Sequence, residues 1–239
     1  MKIRCVLTDS NEYRQFNCFE NSIYTLKISQ HYEYWYYDLC DLIDFYKDTD
    51  IEVISEVSDS DLILAKKLYG NHKYNECELR EYESNVMVHS TTKDNIQSIL
   101  ADMKLKSWHL LSAEKSDWEK EPIGALLGDI DDFSNYVMLS GISQNNEIVT
   151  ASKANGIIST DINQSYIAGA RFYLDAKKLA DDGLLLRDGA HIKVNNYIDL
   201  EKYLIWYSTP GILGIDEHTT PKDFYELSNE RFKLIYDKL

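Results

Sequence analysis

The chain has 239 residues, enough for one large domain or two small ones, and its 44% hydrophobic and 12% aromatic content excludes a disordered composition. No apolar run reaches the length of a membrane span, and no signal-peptide core follows Met1-Lys2-Ile3-Arg4, so a cytoplasmic protein without a membrane partner is expected. The formal charge of -15 disfavours nucleic acid as a partner unless a local basic groove overcomes it.

Residues 1–84 read as an acidic α/β region, with 9 Lys+Arg against 17 Asp+Glu and ten of the chain's 18 tyrosines. Residues 1–8 and 22–28 alternate as strands, and 51–57 forms a third short one. Between them, apolar positions 35, 39, 42, 43 and 46 recur at helical spacing, with Asp38, Asp41 and Asp44 on another face. A further helix, capped by Asp59 or Ser60, should run to Leu68 and end at Gly70-Asn71. The aromatic run at 32–37 has acidic neighbours and no nearby lysine or arginine, which fits core and an interaction surface better than a stacking platform for bases. Cys5, Cys18, Cys40 and Cys77 contain no Cys-x-x-Cys pair and read as reduced structural thiols; no metal site is expected.

Residues 85–239 read as a second domain. The apolar run Val86-Met87-Val88 ends in His89-Ser90-Thr91-Thr92, and a helix begins at once. Thr92 or Asp94 can cap it, and Ile96, Ile99 and Leu100 give it one buried stripe. A strand that hands a polar cluster to a helix N-terminus suits an anionic ligand. After Trp108, Trp118 and the acidic stretch Glu114 to Glu121, the segment 122–129 leads to a strand at 133–140. Residues 147–152 look like its neighbour, joined through Gln144-Asn145-Asn146, and 156–160 is a third apolar stretch. Residues 169–175 make a strand followed by a short helix at 176–180, and Asp182-Gly183 and Asp188-Gly189 are turn signals. Residues 184–187 and 191–194 pair as a hairpin, 200–207 is a strand or short helix, and the tail from Pro221 is a helix with Phe224, Leu227, Phe232 and Ile235 inward. Regular β–α alternation is scarce, so the class is α+β, with mainly antiparallel sheets in the second domain.

The run His89-Ser90-Thr91-Thr92, the helix pattern Asn95-Ile96-x-x-Ile99-Leu100 and the turn into Leu105-Lys106-Ser107 resemble the opening of the ADP-ribosyltransferase-like fold. The nearest shapes are the tRNA 2′-phosphotransferases and the DarT-like nucleic-acid ADP-ribosyltransferases, with Asp102-Met103 standing where those have a glycine turn. The resemblance implies NAD or a related nucleotide in a cleft between strands, with His89 on the adenosine ribose and Thr91 beside it. Tyr136 or Ser140 would pack on nicotinamide, and Glu147 or Glu201 would be the catalytic carboxylate. Such a carboxylate stabilises the cationic ribose that forms as the nicotinamide bond breaks.

From the residues themselves, Arg171 sits beside a glycine-bearing turn and could fork onto a phosphate, or else pair with Asp175, Asp182 or Asp188. Arg187 has the same two readings, and His191 could be a general acid or base or a structural histidine. The expected function is NAD-dependent ADP-ribosyl transfer, or NAD cleavage, with no acceptor identified. The rival is a non-catalytic acidic protein whose Tyr-rich N-terminal region docks on a basic protein.

Overall fold

The computed structural model describes residues 2–10, 15–20, 23–71, 78–114 and 131–237. Cys77, Trp118, the acidic run to Glu121 and the segment 122–129 lie outside these. In chain order the elements are β1 (Lys2–Thr8), β2 (Gln15–Glu20), β3 (Ile23–Ser29), α1 (Trp35–Tyr46), β4 (Glu52–Glu56), α2 (Asp59–Asn71), β5 (Val86–Thr91), α3 (Ile96–Asp102), β6 (Lys104–Lys106), α4 (Trp108–Glu114), β7 (Tyr136–Leu139) and α5 (Asn145–Asn155). They continue as β8 (Tyr166–Ile167), β9 (Ala170–Asp175), α6 (Ala176–Asp181), β10 (Leu186–Arg187), β11 (Ile192–Asn195), β12 (Tyr197–Asp199), α7 (Leu200–Tyr203), β13 (Leu204–Ser208), α8 (Pro210–Leu213), β14 (His218–Thr219) and α9 (Pro221–Tyr236). The class is α+β. Among the described residues no helix is long and apolar enough to cross a membrane.

The chain forms two compact units. The first takes its described residues from Met1–Glu76, Lys120–Ser134 and Leu185–Lys193; the second takes them from Cys77–Glu119, Asn135–Leu184 and Val194–Leu239.

In the first unit, β1 lies parallel to both β3 and β4, and β2 closes the far edge antiparallel to β3. Ile3 and Cys5 of β1 and Tyr24, Leu26 and Ile28 of β3 are buried, as alternation requires. Helix α1 buries Trp35, Tyr36, Tyr37, Leu39 and Leu42, so half of the tyrosine run is core. Helix α2 is capped one residue earlier than expected, because the Ser58 hydroxyl rather than Asp59 or Ser60 accepts the Asp61 N–H at 3.1 Å. The expected hairpin forms with Leu186 opposite Lys193 and Arg187 opposite Ile192. Its turn is held by Asp188, and Gly189, at φ 82°, comes so close to α1 that an added Cβ would stand 2.3 Å from the Asp38 carbonyl oxygen.

In the second unit, the sheet β13-β9-β5 is antiparallel throughout, with β9 at its centre and buried from Ala170 to Leu174. Its two faces differ. Val86, Val88, Ser90, Arg171, Tyr173, Trp206 and Ser208 share one face, against which α5 and α9 pack; Val86, Val88 and Tyr173 form a cluster with Phe232 of α9. Met87, His89, Thr91, Phe172 and Tyr207 lie on the other, where Phe172 stacks on Tyr207 with centroids 5.7 Å apart. Helix α9 starts on Pro221 with the Thr220 hydroxyl accepting the Asp223 N–H at 3.0 Å. Phe224, Ser228 and Phe232 form its inward line at i, i+4 and i+8, so Leu227, expected inward, stands exposed.

Residues 147–152, expected as a strand, are the middle of helix α5. Glu147, Thr150 and Ala151 are buried at i, i+3 and i+4, and Gly156 ends the helix in the left-handed conformation. The polar Glu147 and Thr150 carry the inward stripe, and that hid the helical period. The stretch 156–160 is this cap and the loop beyond it, with Ile157 exposed.

Candidate functional site

Strand β5 is where the second unit concentrates its chemistry. It touches β7 through a single bridge, with the Val88 N–H donating to the Ser140 carbonyl at 2.8 Å and the Ser140 N–H returning at 3.1 Å. The Asn146 amide also donates to the Val88 carbonyl at 2.8 Å. One residue on, the His89 ring takes the place of a ladder bond: Nδ1 lies 2.9 Å from the Met138 carbonyl oxygen.

A carbonyl only accepts, so Nδ1 carries the proton and Nε2 is left as an acceptor. Among the described residues Nε2 has no hydrogen-bond partner. Burial pushes the His89 pKa below its ordinary 6.5; the Met138 contact works against this, and the Lys153 cation adds to it. The ring is therefore neutral at neutral pH, fixed in one tautomer, and it feels a lysine rather than a carboxylate. Such a group accepts a hydroxyl donor, and Lys153 provides a field that favours an anion.

Thr91, on the same face, is 7% exposed and its hydroxyl oxygen accepts from the Asn95 amide at 3.1 Å. Asn95 also reaches the Thr92 hydroxyl at 3.2 Å, so it ties the strand end to the turn. Gly169 lies directly against that turn. A Cβ there would stand 1.9 Å from the Thr91 carbonyl oxygen and 2.7 Å from the Lys93 nitrogen. The expected cap by Thr92 or Asp94 does not form: Thr92 makes no side-chain cap bond, Asp94 lies inside a 3-10 turn, and Asn95, which precedes α3, makes no cap bond either. A 3-10 turn over Lys93–Asn95 comes first, and α3, seven residues long, follows with Ile96, Ile99 and Leu100 only half-buried.

On the opposite face of β5, Ser90 enters a buried polar network. Its hydroxyl donates to Glu147 Oε1, which also receives Arg171 Nη1 at 3.1 Å, while the Tyr166 hydroxyl donates to Glu147 Oε2 at 3.0 Å. Arg171 Nη2 donates to the Ser143 carbonyl at 3.1 Å and Nε to the Tyr173 hydroxyl at 3.2 Å. The Tyr173 hydroxyl in turn donates to Asn229 Oδ1 at 2.8 Å. Burial pushes the Tyr173 phenol up to about 12, and burial followed by the Glu147 charge raises Tyr166 further. Both phenols are thus held as donors.

Of the residues singled out in the sequence, His89, Thr91, Ser140, Glu147 and Arg171 meet around β5, but on two faces. Glu147 and Arg171 are 1% and 0% exposed and pair with each other, not with Asp175, Asp182 or Asp188. Ser140 donates its hydroxyl to the Gly141 carbonyl at 2.9 Å. Tyr136 is half-buried on β7, with Val137 and Leu139 taking the inward positions. Glu201 stands apart, exposed in the first turn of α7, where its N–H is held by Asp199. Sequence reasoning missed Ser90, Tyr166, Tyr173 and Asn229. The signal was the two-residue spacing of Arg171 and Tyr173, which puts both on one face of a strand too buried to leave either unsatisfied.

Comparison with protein-family models, with curated proteins and with solved structures found no match in any of the three.

Proposed function

We propose that the second unit binds NAD or a related ribonucleotide on the His89 face of the β5 strand, and that ADP-ribosyl transfer or NAD cleavage is the reaction this binding serves. The observation that carries the reading is the His89 ring, locked through Nδ1 to the Met138 carbonyl with Nε2 turned out as an acceptor. A ribose hydroxyl is a donor of the right kind for it, and Lys153 lowers the electrostatic cost of a nearby pyrophosphate. The resemblance of the His89-Ser90-Thr91-Thr92 segment supports the same ligand.

Glu147 has no part in the chemistry in this reading, because both of its oxygens are occupied and it belongs to the opposite face of the sheet. That observation favours the second reading, in which the fold binds without turnover and the acidic first unit docks on a basic protein. Titrating the whole chain with NAD in a calorimeter, and assaying nicotinamide release on the same sample, separates the two. Heat with release supports the transferase; heat without release supports a binding protein. No heat at millimolar NAD removes the ligand assignment.

A further inference from the structure

A second pocket opens on the helical side of the β13-β9-β5 sheet, away from His89. It has a volume of about 230 Å³ and is half open to solvent. Val86 of β5, Ile142, and Phe232 and Tyr236 of α9 make its apolar wall. The two rings of that wall are stacked, with centroids 5.1 Å apart and planes 27° from parallel, and Tyr173 stacks behind Phe232 at 4.1 Å. An aromatic wall of this depth accepts a flat ring better than a branched aliphatic chain.

Of the polar residues that line it, Ser84 and Asn85 are exposed, whereas Asn229 is buried in the wall. Asn229 is 8% exposed, and its Oδ1 is taken by the Tyr173 hydroxyl. That bond fixes the orientation of the amide, so Nδ2 is its remaining donor, and it donates to no side chain among the described residues. The chain Arg171–Tyr173–Asn229 holds this donor in place before any ligand arrives. The rim carries charges of both signs, Lys233 and Asp237, which neither attract nor reject a net charge strongly. A pocket of about 150 Å³ with an apolar lining holds a benzene ring, so this one has room for a single ring with a small substituent.

We infer that this pocket is a binding site for a small uncharged aromatic molecule, one ring bearing an amide or similar acceptor that takes the Asn229 Nδ2 proton. An aromatic anion would have to desolvate its charge against the apolar wall, a cost that an uncharged amide avoids. The site is independent of the His89 site, and its test does not involve NAD.

The test titrates the full chain with benzamide, with benzoate and toluene as comparison probes, followed by calorimetry or ligand-observed NMR. Benzamide is expected to bind with a dissociation constant on the order of a millimolar or tighter. Ile142→Trp fills the pocket from its half-buried edge and should abolish binding of all three probes. Asn229→Leu should weaken benzamide roughly two- to tenfold relative to toluene. Since Asn229→Leu also removes Tyr173's acceptor and can fail to fold, the wild-type preference for benzamide over toluene and benzoate tests the same point without it. Equal benzamide affinity in wild type and Ile142→Trp, or no binding to wild type at tens of millimolar, overturns the site. Equal affinity for the three probes overturns the ligand class.

Discussion

Arg171 Nη1 and Glu147 Oε1 meet at 3.1 Å with neither side chain reaching solvent. Around them Ser90 and Tyr166 donate to Glu147, while Ser143 and Tyr173 accept from Arg171, and such added hydrogen bonds reduce the penalty for burying an ion pair. The pair joins the first turn of α5 to the central strand β9, and through Ser90 to β5. Its function is to hold the strand that carries His89.

Removing one partner leaves the other charged and buried. Arg171→Leu and Glu147→Leu are each expected to destabilise by about 3–5 kcal/mol in denaturant unfolding, while the double variant loses less than the sum. A Glu147 variant of wild-type stability that has lost only NAD turnover would show that this carboxylate is catalytic after all.

His89 links stability to pH. Its pKa is depressed in the folded state, so between that value and 6.5 the unfolded chain binds the proton and the folded one does not. The contribution is fully present above about 6.5 and declines as pH falls toward the folded pKa. Denaturant midpoints of wild type and His89→Gln at pH 7.5 and pH 5 should therefore converge at the lower pH. His89→Ala should weaken NAD roughly two- to tenfold, the worth of one net hydrogen bond. Unchanged NAD affinity would remove His89 from the site.

Gly169 is a position where a methyl group has nowhere to go. The atoms it would meet are backbone atoms of Thr91, Thr92 and Lys93, which cannot rotate away as a flexible side chain could. Gly169→Ala should displace the turn after β5, with a loss on the order of 1–3 kcal/mol and weaker NAD binding together. Stability and affinity both like wild type would mean that this close approach is absent in solution.

Much of this was legible from pattern alone. Alternation located β1, β3 and β4, and the apolar run Val86-Met87-Val88 located β5; Asp188-Gly189 located the β10–β11 turn; and Pro221 with its apolar spacing located α9. Helix α5 was not legible, because its inward stripe opens on the polar Glu147 and Thr150, and the burial of Glu147 depends on partners 19 to 57 residues away in the chain. The two-face division at β5 needs the register of His89 opposite Phe172 and Ser90 opposite Arg171, and no local signal gives that register. Pattern therefore marks the His89 segment but not that Glu147 lies on the other side of the sheet from it.

Met103 ends α3 at φ 48° and ψ 41°, in the left-handed region where the resembled family places glycine. A side chain there costs roughly 1–2 kcal/mol relative to the right-handed conformation, and glycine escapes most of it. Met103 is half-buried, so its lost contacts offset part of the gain. Met103→Gly should raise stability by up to about 1 kcal/mol in thermal or denaturant unfolding. A drop of more than about 1 kcal/mol would mean that Met103 packing outweighs the backbone strain.

Asp188 sets the acid limit of the first unit. It is 1% exposed and accepts the Ala190 and His191 N–H groups at 2.9 and 2.7 Å and Lys193 Nζ at 2.6 Å. Lys193 is itself sealed, with its ammonium 4.0 Å from the Phe45 ring centroid and 5.4 Å from that of Phe133. Burial alone would push the Asp188 carboxyl up, but His191 and Lys193 together outweigh it and hold the carboxyl well below its ordinary 3.8. Stability from this depression is present above 3.8 and is lost as pH falls through the folded pKa. Asp188→Asn leaves the Lys193 charge buried without the carboxylate it touches, so at pH 7 it should cost about 3–5 kcal/mol. At pH 2.5 the wild type has already lost part of that advantage, and the gap to the variant should narrow by an amount on the order of 1–2 kcal/mol. Denaturant unfolding of both proteins at the two pH values measures the gap directly. The other carboxylates titrate alike in both proteins and cancel, so a gap that is the same at both pH values would mean that the Asp188 carboxyl is not held low by its neighbours.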